Sequence, residues 1–83
     1  MQNELENQRE KLYKYLNQKY KRSVINKFEM AFELGISNST LDLYIAKGTG
    51  IPNYKKLGSA KNSKVIFNLL DVADFLTQTI KTR

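Results

Sequence analysis

Neither cysteine nor histidine occurs in the 83 residues, and this removes several chemistries at once. Disulfides, thiolate nucleophiles, zinc sites built on Cys or His, and imidazole acid–base catalysis all require one of the two. No apolar run approaches the ~18 residues needed to cross a bilayer. The stretch Met1 to Glu10 is polar and carries no signal-peptide core. The expectation is a cytoplasmic protein with no cofactor, no metal and no membrane partner. What remains for catalysis is carboxylates, lysines and hydroxyls. Glu29 and Glu33 stand four apart on one helix face but have no metal-ligating neighbours. They read as a solvated face, and the chain is not expected to be an enzyme.

Proline occurs once, at Pro52, and only four glycines are present, so the few breakers mark boundaries clearly. Hydrophobic residues at 41% and charged residues at 27% suit a folded domain. A chain this short buries only a little more than ~60% of its unfolded surface, so one unit is expected. Its net charge of +6 points to a polyanionic partner. The charge is uneven. Residues 1–22 carry six basic and three acidic side chains, residues 23–53 two and three, and residues 54–83 six and two.

From Glu4 to about Lys21, Leu5, Leu12, Tyr13, Leu16 and Tyr20 recur at helical spacing, which predicts an amphipathic helix over residues 1–22. Its stripe could pack on its own domain or on a second copy, and Tyr15 lies off it. Residues 23–83 follow as the main unit. Asn26 is an N-cap candidate with Glu29 closing a capping box, so a second helix starts near Lys27 and ends at Gly35. Ser37 caps a third helix, Asn38 to Lys47, with Leu41, Tyr44 and Ile45 inward and Gly48 closing it. After the breakers from Thr49 to Asn53, Tyr54–Leu57 and Lys64–Phe67 read as strands joined by a polar connector. Asn68 then caps a last helix, with Asp71 at the capping-box position and Leu69, Val72, Ala73, Phe75, Leu76 and Ile80 as its stripe. Lys81 and Arg83 suit its C-terminus.

Lys27 to Ala46 has the spacing of a helix-turn-helix. A small residue at Ala31 permits close helix approach and Gly35 permits the turn, with Met30, Leu34, Ile36, Leu41 and Tyr44 as shared core. Over residues 24–76, about two thirds of the chain, the sequence resembles the excisionase-like and MerR-type winged helix-turn-helix domains. The resemblance is carried by Ala31 to Leu43, Lys47-Gly48, Ile51-Pro52, Val65-Ile66-Phe67 and Asp71 to Leu76. It is also similar to the DNA-recognition domain of small terminase subunits. The fold implied is mainly α with a small β-hairpin, a winged helix-turn-helix preceded by an extra N-terminal helix. The function implied is double-stranded DNA binding, with a recognition helix in the major groove and a wing on the backbone or minor groove. The roles open to it are transcription regulation, excisionase-like recombination and DNA packaging.

The candidate DNA contacts fall in two groups. Ser37, Asn38, Ser39 and Thr40 sit at the third helix's N-terminus, where hydroxyls and free backbone N–H groups take a phosphate or a base edge. Asp42 either accepts from cytosine or orients Lys47 or Asn38, and Leu43 either meets a thymine methyl or belongs to the core. The pattern departs from the family at Asp42 and in having no Arg on this helix, which weakens direct guanine readout. Lys47, Lys55, Lys56, Lys61, Asn62 and Lys64 complete the set, as phosphate contacts or as solvated strand edges. Lys21 and Arg22 adjoin the motif as backbone clamps. The aromatics Tyr13, Tyr20, Phe28, Phe32, Tyr44, Phe67 and Phe75 read as core, with Tyr54 the exception. The competing partner is a protein, such as a recombinase or a terminase, docked on the third helix or the first. Monomer and weak homodimer are both open.

Overall fold

Four helices and three short strands make up the described part of the chain in a computed structural model covering residues 4–58 and 64–78. They run α1 (Glu4–Tyr20), β1 (Val24–Asn26), α2 (Lys27–Leu34), α3 (Asn38–Lys47), β2 (Lys55–Leu57), β3 (Lys64–Asn68) and α4 (Leu69–Thr77). The architecture is mainly helical with a small antiparallel sheet. No helix among the described residues is long and apolar enough to cross a membrane. The side chain of Leu5, the hairpin residues Lys61 and Asn62, and Ile80, Lys81 and Arg83 lie outside the described residues.

The amphipathic pattern of α1 is realised against its own chain. Leu16 is fully buried in the core, and Leu12, Tyr13 and Tyr20 pack on its margin. The helix lies along α4, where Arg9 meets Asp74 at 3.2 Å. Lys21 closes α1 in a left-handed conformation (φ 56°), donating its N–H to the Asn17 carbonyl at 2.7 Å. That conformation is unusual for a residue with a side chain.

The β-branched pair Val24-Ile25 forms a strand where the sequence pattern indicates only the approach to α2. β1 pairs with β3, β3 pairs with β2, and the sheet order is β1-β3-β2, so the expected hairpin is part of a three-stranded sheet. Ile25 sits opposite Phe67, and both are fully buried. This pair joins two residues 42 positions apart in the chain. β3 also runs one residue further than the sequence pattern indicates and ends at Asn68, which then caps α4. The Asn68 side chain accepts from the Leu70 N–H at 2.8 Å. The capping box expected with Asp71 does not form, because the cap bond goes to the second helical residue rather than the third.

The capping box of α2 does form. Asn26 Oδ1 accepts from the Glu29 N–H at 2.8 Å and Glu29 accepts from the Asn26 N–H at 2.9 Å. Gly35 ends α2 in the left-handed region (φ 72°), a geometry that costs a residue with a Cβ roughly 1–2 kcal/mol. Ala31, 2% exposed, lies in the core with Met30 and Leu41, which brings α2 and α3 together without a bulky side chain between them. Ile36, Ile45, Ile51, Tyr54 and Val65 pack against the same buried cluster, so α3, the loop after it and the hairpin are all anchored to one core.

Three inward assignments are corrected. Tyr44 is 36% exposed, its ring lying beside Gly50 rather than in the core. Phe28 and Phe32 are 63% and 70% exposed. On a helix of only two turns, Met30, Ala31 and Leu34 already fill the face toward the sheet and α3, which turns Phe28 and Phe32 outward. Tyr54, by contrast, is not the exposed exception. It is half-buried, its ring 6.0 Å from that of Phe67.

Candidate nucleic-acid interface

Ser37 starts α3 from an extended conformation, and its Oγ accepts from the Thr40 N–H at 3.1 Å while donating to Thr40 Oγ1 at 2.9 Å. The two hydroxyls therefore hold the helix end and each other; Ser37, Asn38 and Ser39 are exposed there, and Thr40 is half-buried. Gly48 closes the helix with its N–H on the Tyr44 and Ile45 carbonyls.

The remaining exposed residues of α3 are Asp42, Leu43, Ala46 and Lys47, besides Tyr44. Ser39, Leu43 and Ala46 follow the i, i+4, i+7 spacing of one helical stripe, flanked by Asp42 on one side and Lys47 on the other. Leu43 is 62% exposed and so is not a core residue. Asp42 takes a partner that chain proximity did not indicate. Its carboxylate meets Lys27 Nζ of α2 at 2.8 Å, in place of Lys47 or Asn38. The bond ties the two short helices across their turn and offsets the one negative charge on the outer face of α3.

The hairpin's cations divide by strand alternation. Lys55 sits opposite Ile66 and Lys64 opposite Leu57, so these two share a sheet face, whereas Lys56 opposite Val65 faces the other way, on the side of Phe67. Lys55, Lys56 and Lys64 are all exposed, but they do not form one uniform cluster. Lys61 and Asn62 fall outside the described residues.

Four of the described cations are held in ion pairs within the protein. Arg9, Lys19, Arg22 and Lys27 each meet a carboxylate, on Asp74, Glu33, Glu29 and Asp42 respectively. Among the described residues, Lys47, Lys55, Lys56 and Lys64 have no such partner, and neither have Lys11, Lys14 and Lys21. The cations of α3 and the hairpin are thus available to an external anion, as are those of Lys11, Lys14 and Lys21 on and just after α1.

Glu29 and Glu33 are not a solvated face. Arg22 grips Glu29 with both terminal nitrogens at 2.9 and 2.6 Å, and its hydrogen bonds hold the carboxyl below the ordinary glutamate range. Arg22, expected as a backbone clamp, is thus paired with Glu29 at the surface, its side chain 47% exposed. Glu33 accepts from Lys19 Nζ at 2.6 Å and from the Tyr20 hydroxyl. Burial, and then the bond to Glu33, raise the Tyr20 pKa well above the usual phenol value. Lys19 Nζ also stands 4.8 Å from the Phe32 ring centre and 5.8 Å from that of Tyr15, which is 56% exposed. Tyr15, Lys19 and Phe32 thereby form an aromatic surface at the junction of α1 and α2. Tyrosine and phenylalanine at positions off the α1 stripe and on a two-turn helix were its only signals in the sequence.

In comparisons with known proteins, no family model, no curated protein and no solved structure matches the chain.

Proposed function

We propose that this chain binds double-stranded DNA as a winged helix-turn-helix module, and is a binding protein rather than an enzyme. In this reading α3 enters the major groove and the β2–β3 hairpin is the wing, lying on the adjacent backbone or minor groove. α2, the left-handed Gly35 and α3 supply the helix-turn-helix. The observation that carries the reading is the pairing of two short helices across the left-handed Gly35 with exposed, unpaired lysines at the end of α3 and on the hairpin that follows it. The scaffold's Arg9, Lys19, Arg22 and Lys27 are bound internally, while Lys47 of α3 and Lys55, Lys56 and Lys64 of the hairpin are exposed without carboxylate partners among the described residues. Phosphate contacts by such lysines supply most of the sequence-independent affinity for DNA. The roles that fit are a cytoplasmic transcription regulator and an accessory factor for recombination or packaging.

The test is fluorescence anisotropy of labelled random-sequence duplex DNA titrated with the protein at several salt concentrations. Micromolar affinity that weakens steeply with salt supports the reading, and absence of binding at about 50 mM salt rejects it. A second reading, a protein-docking module on the same scaffold, is favoured by the outward Phe28 and Phe32. It takes precedence if duplex DNA is not bound.

A further inference from the structure

The outer stripe of α3 carries a recognition chemistry that the cation distribution does not describe. Guanine is read most often by the donor fork of arginine, and α3 contains no arginine. Its one lysine, Lys47, lies in the last turn, whereas base contacts of a recognition helix concentrate toward its N-terminal part. What the stripe does present is the hydroxyl of Ser39 and the methyl groups of Leu43 and Ala46, all exposed. From Ser39 to Ala46 it spans roughly 10 Å, the rise of about three base pairs. Apolar side chains in the major groove meet the 5-methyl group of thymine, the one apolar feature on a base-pair edge there. The exposed Asn38, one residue ahead of the stripe, is of the type that pairs with adenine N6 and N7. Both residue types therefore converge on A·T pairs. Asp42, held by Lys27 at 2.8 Å, has its charge compensated within the protein, so that it does not repel the approaching phosphates as a lone carboxylate would.

We propose that α3 selects A·T pairs through thymine methyl groups, with Leu43 the specificity-determining residue. The proposal rests on the DNA-binding reading above. Leu43 is 62% exposed and is not part of the core cluster, so its replacement is expected to leave the fold in place.

The experiment selects preferred duplexes from a random library and then remakes them with deoxyuridine in place of every thymine, which deletes only the methyl groups. The wild type is expected to lose about fourfold in affinity for each thymine methyl that Leu43 covers. Leu43→Ala is expected to bind the thymine duplex more weakly and to discriminate less between thymine and uracil. Equal, salt-sensitive binding of the two duplexes by the wild type overturns the methyl readout and leaves DNA binding standing. Unchanged discrimination in Leu43→Ala overturns the assignment to this residue. Binding to neither duplex at low salt removes both the proposal and the reading under it.

Discussion

Replacing Lys55 and Lys64 together with alanine removes the two described hairpin lysines that share one face of the sheet. Each phosphate neutralised releases counterions and contributes about −0.9 to the slope of log affinity against log salt. If both lysines lie on phosphates, the double variant has a slope less steep than the wild type's by about 1.8. Between 50 and 200 mM salt, that difference means the wild type loses about twelvefold more affinity than the variant does. Both residues are exposed and unpaired among the described residues, so their loss is expected to change folding stability by less than about 0.5 kcal/mol. The assay is anisotropy of one duplex at four or more salt concentrations, with thermal unfolding of each variant as the check on folding. Lys11→Ala/Lys14→Ala, which removes the same charge from exposed positions on α1, serves as the comparison and is expected to leave the slope nearly unchanged. Parallel slopes for the wild type and the hairpin variant would refute the hairpin's role in phosphate contact. An equal flattening by the α1 variant would show that net charge, and not position, governs binding.

Ala31→Leu forces a larger side chain between α2 and α3 where Ala31 is 2% exposed, and is expected to cost about 1–3 kcal/mol in urea unfolding. An unchanged midpoint would mean that the two helices do not approach as closely as described. Tyr20→Phe deletes the hydroxyl bond to the Glu33 carboxylate, with an expected loss of about 1–2 kcal/mol in the same assay. The Glu29–Arg22 pair is expected to be pH-dependent. Because the folded-state pKa of Glu29 is depressed, its contribution is present above the ordinary value of 4.5 and is lost as pH falls through the lower folded value. Glu29→Gln retains a side chain able to close the capping box, so its stability deficit should be greatest near neutrality and shrink in acid. A deficit that does not vary with pH would contradict the ion pair.

Local signals in the sequence were sufficient for the helices and their ends. Asn26 with Glu29, Ser37, Gly35 and Gly48 act through bonds within three or four residues, so the chain itself specifies where α2 and α3 begin and stop. The 3.6-residue recurrence of Leu12, Tyr13, Leu16 and Tyr20 likewise determines that α1 is amphipathic. That its stripe covers its own domain was decided only when α4 supplied the facing surface. β1 depended on tertiary structure in the same way, since a three-residue strand has no stability until Phe67 stands opposite Ile25. The partners of Asp42, Glu29 and Glu33 come from residues 15, 7 and 14 positions away, and spacing along one helix cannot reveal bonds between helices. Composition marked Phe28 and Phe32 as apolar, but their exposure was settled by how much inward face a two-turn helix has to offer. The candidate DNA contacts show the same division: the residue types on α3 and the hairpin were legible in the chain, whereas the splitting of Lys56 from Lys55 and Lys64 came from strand register, a property of paired strands and not of either one alone.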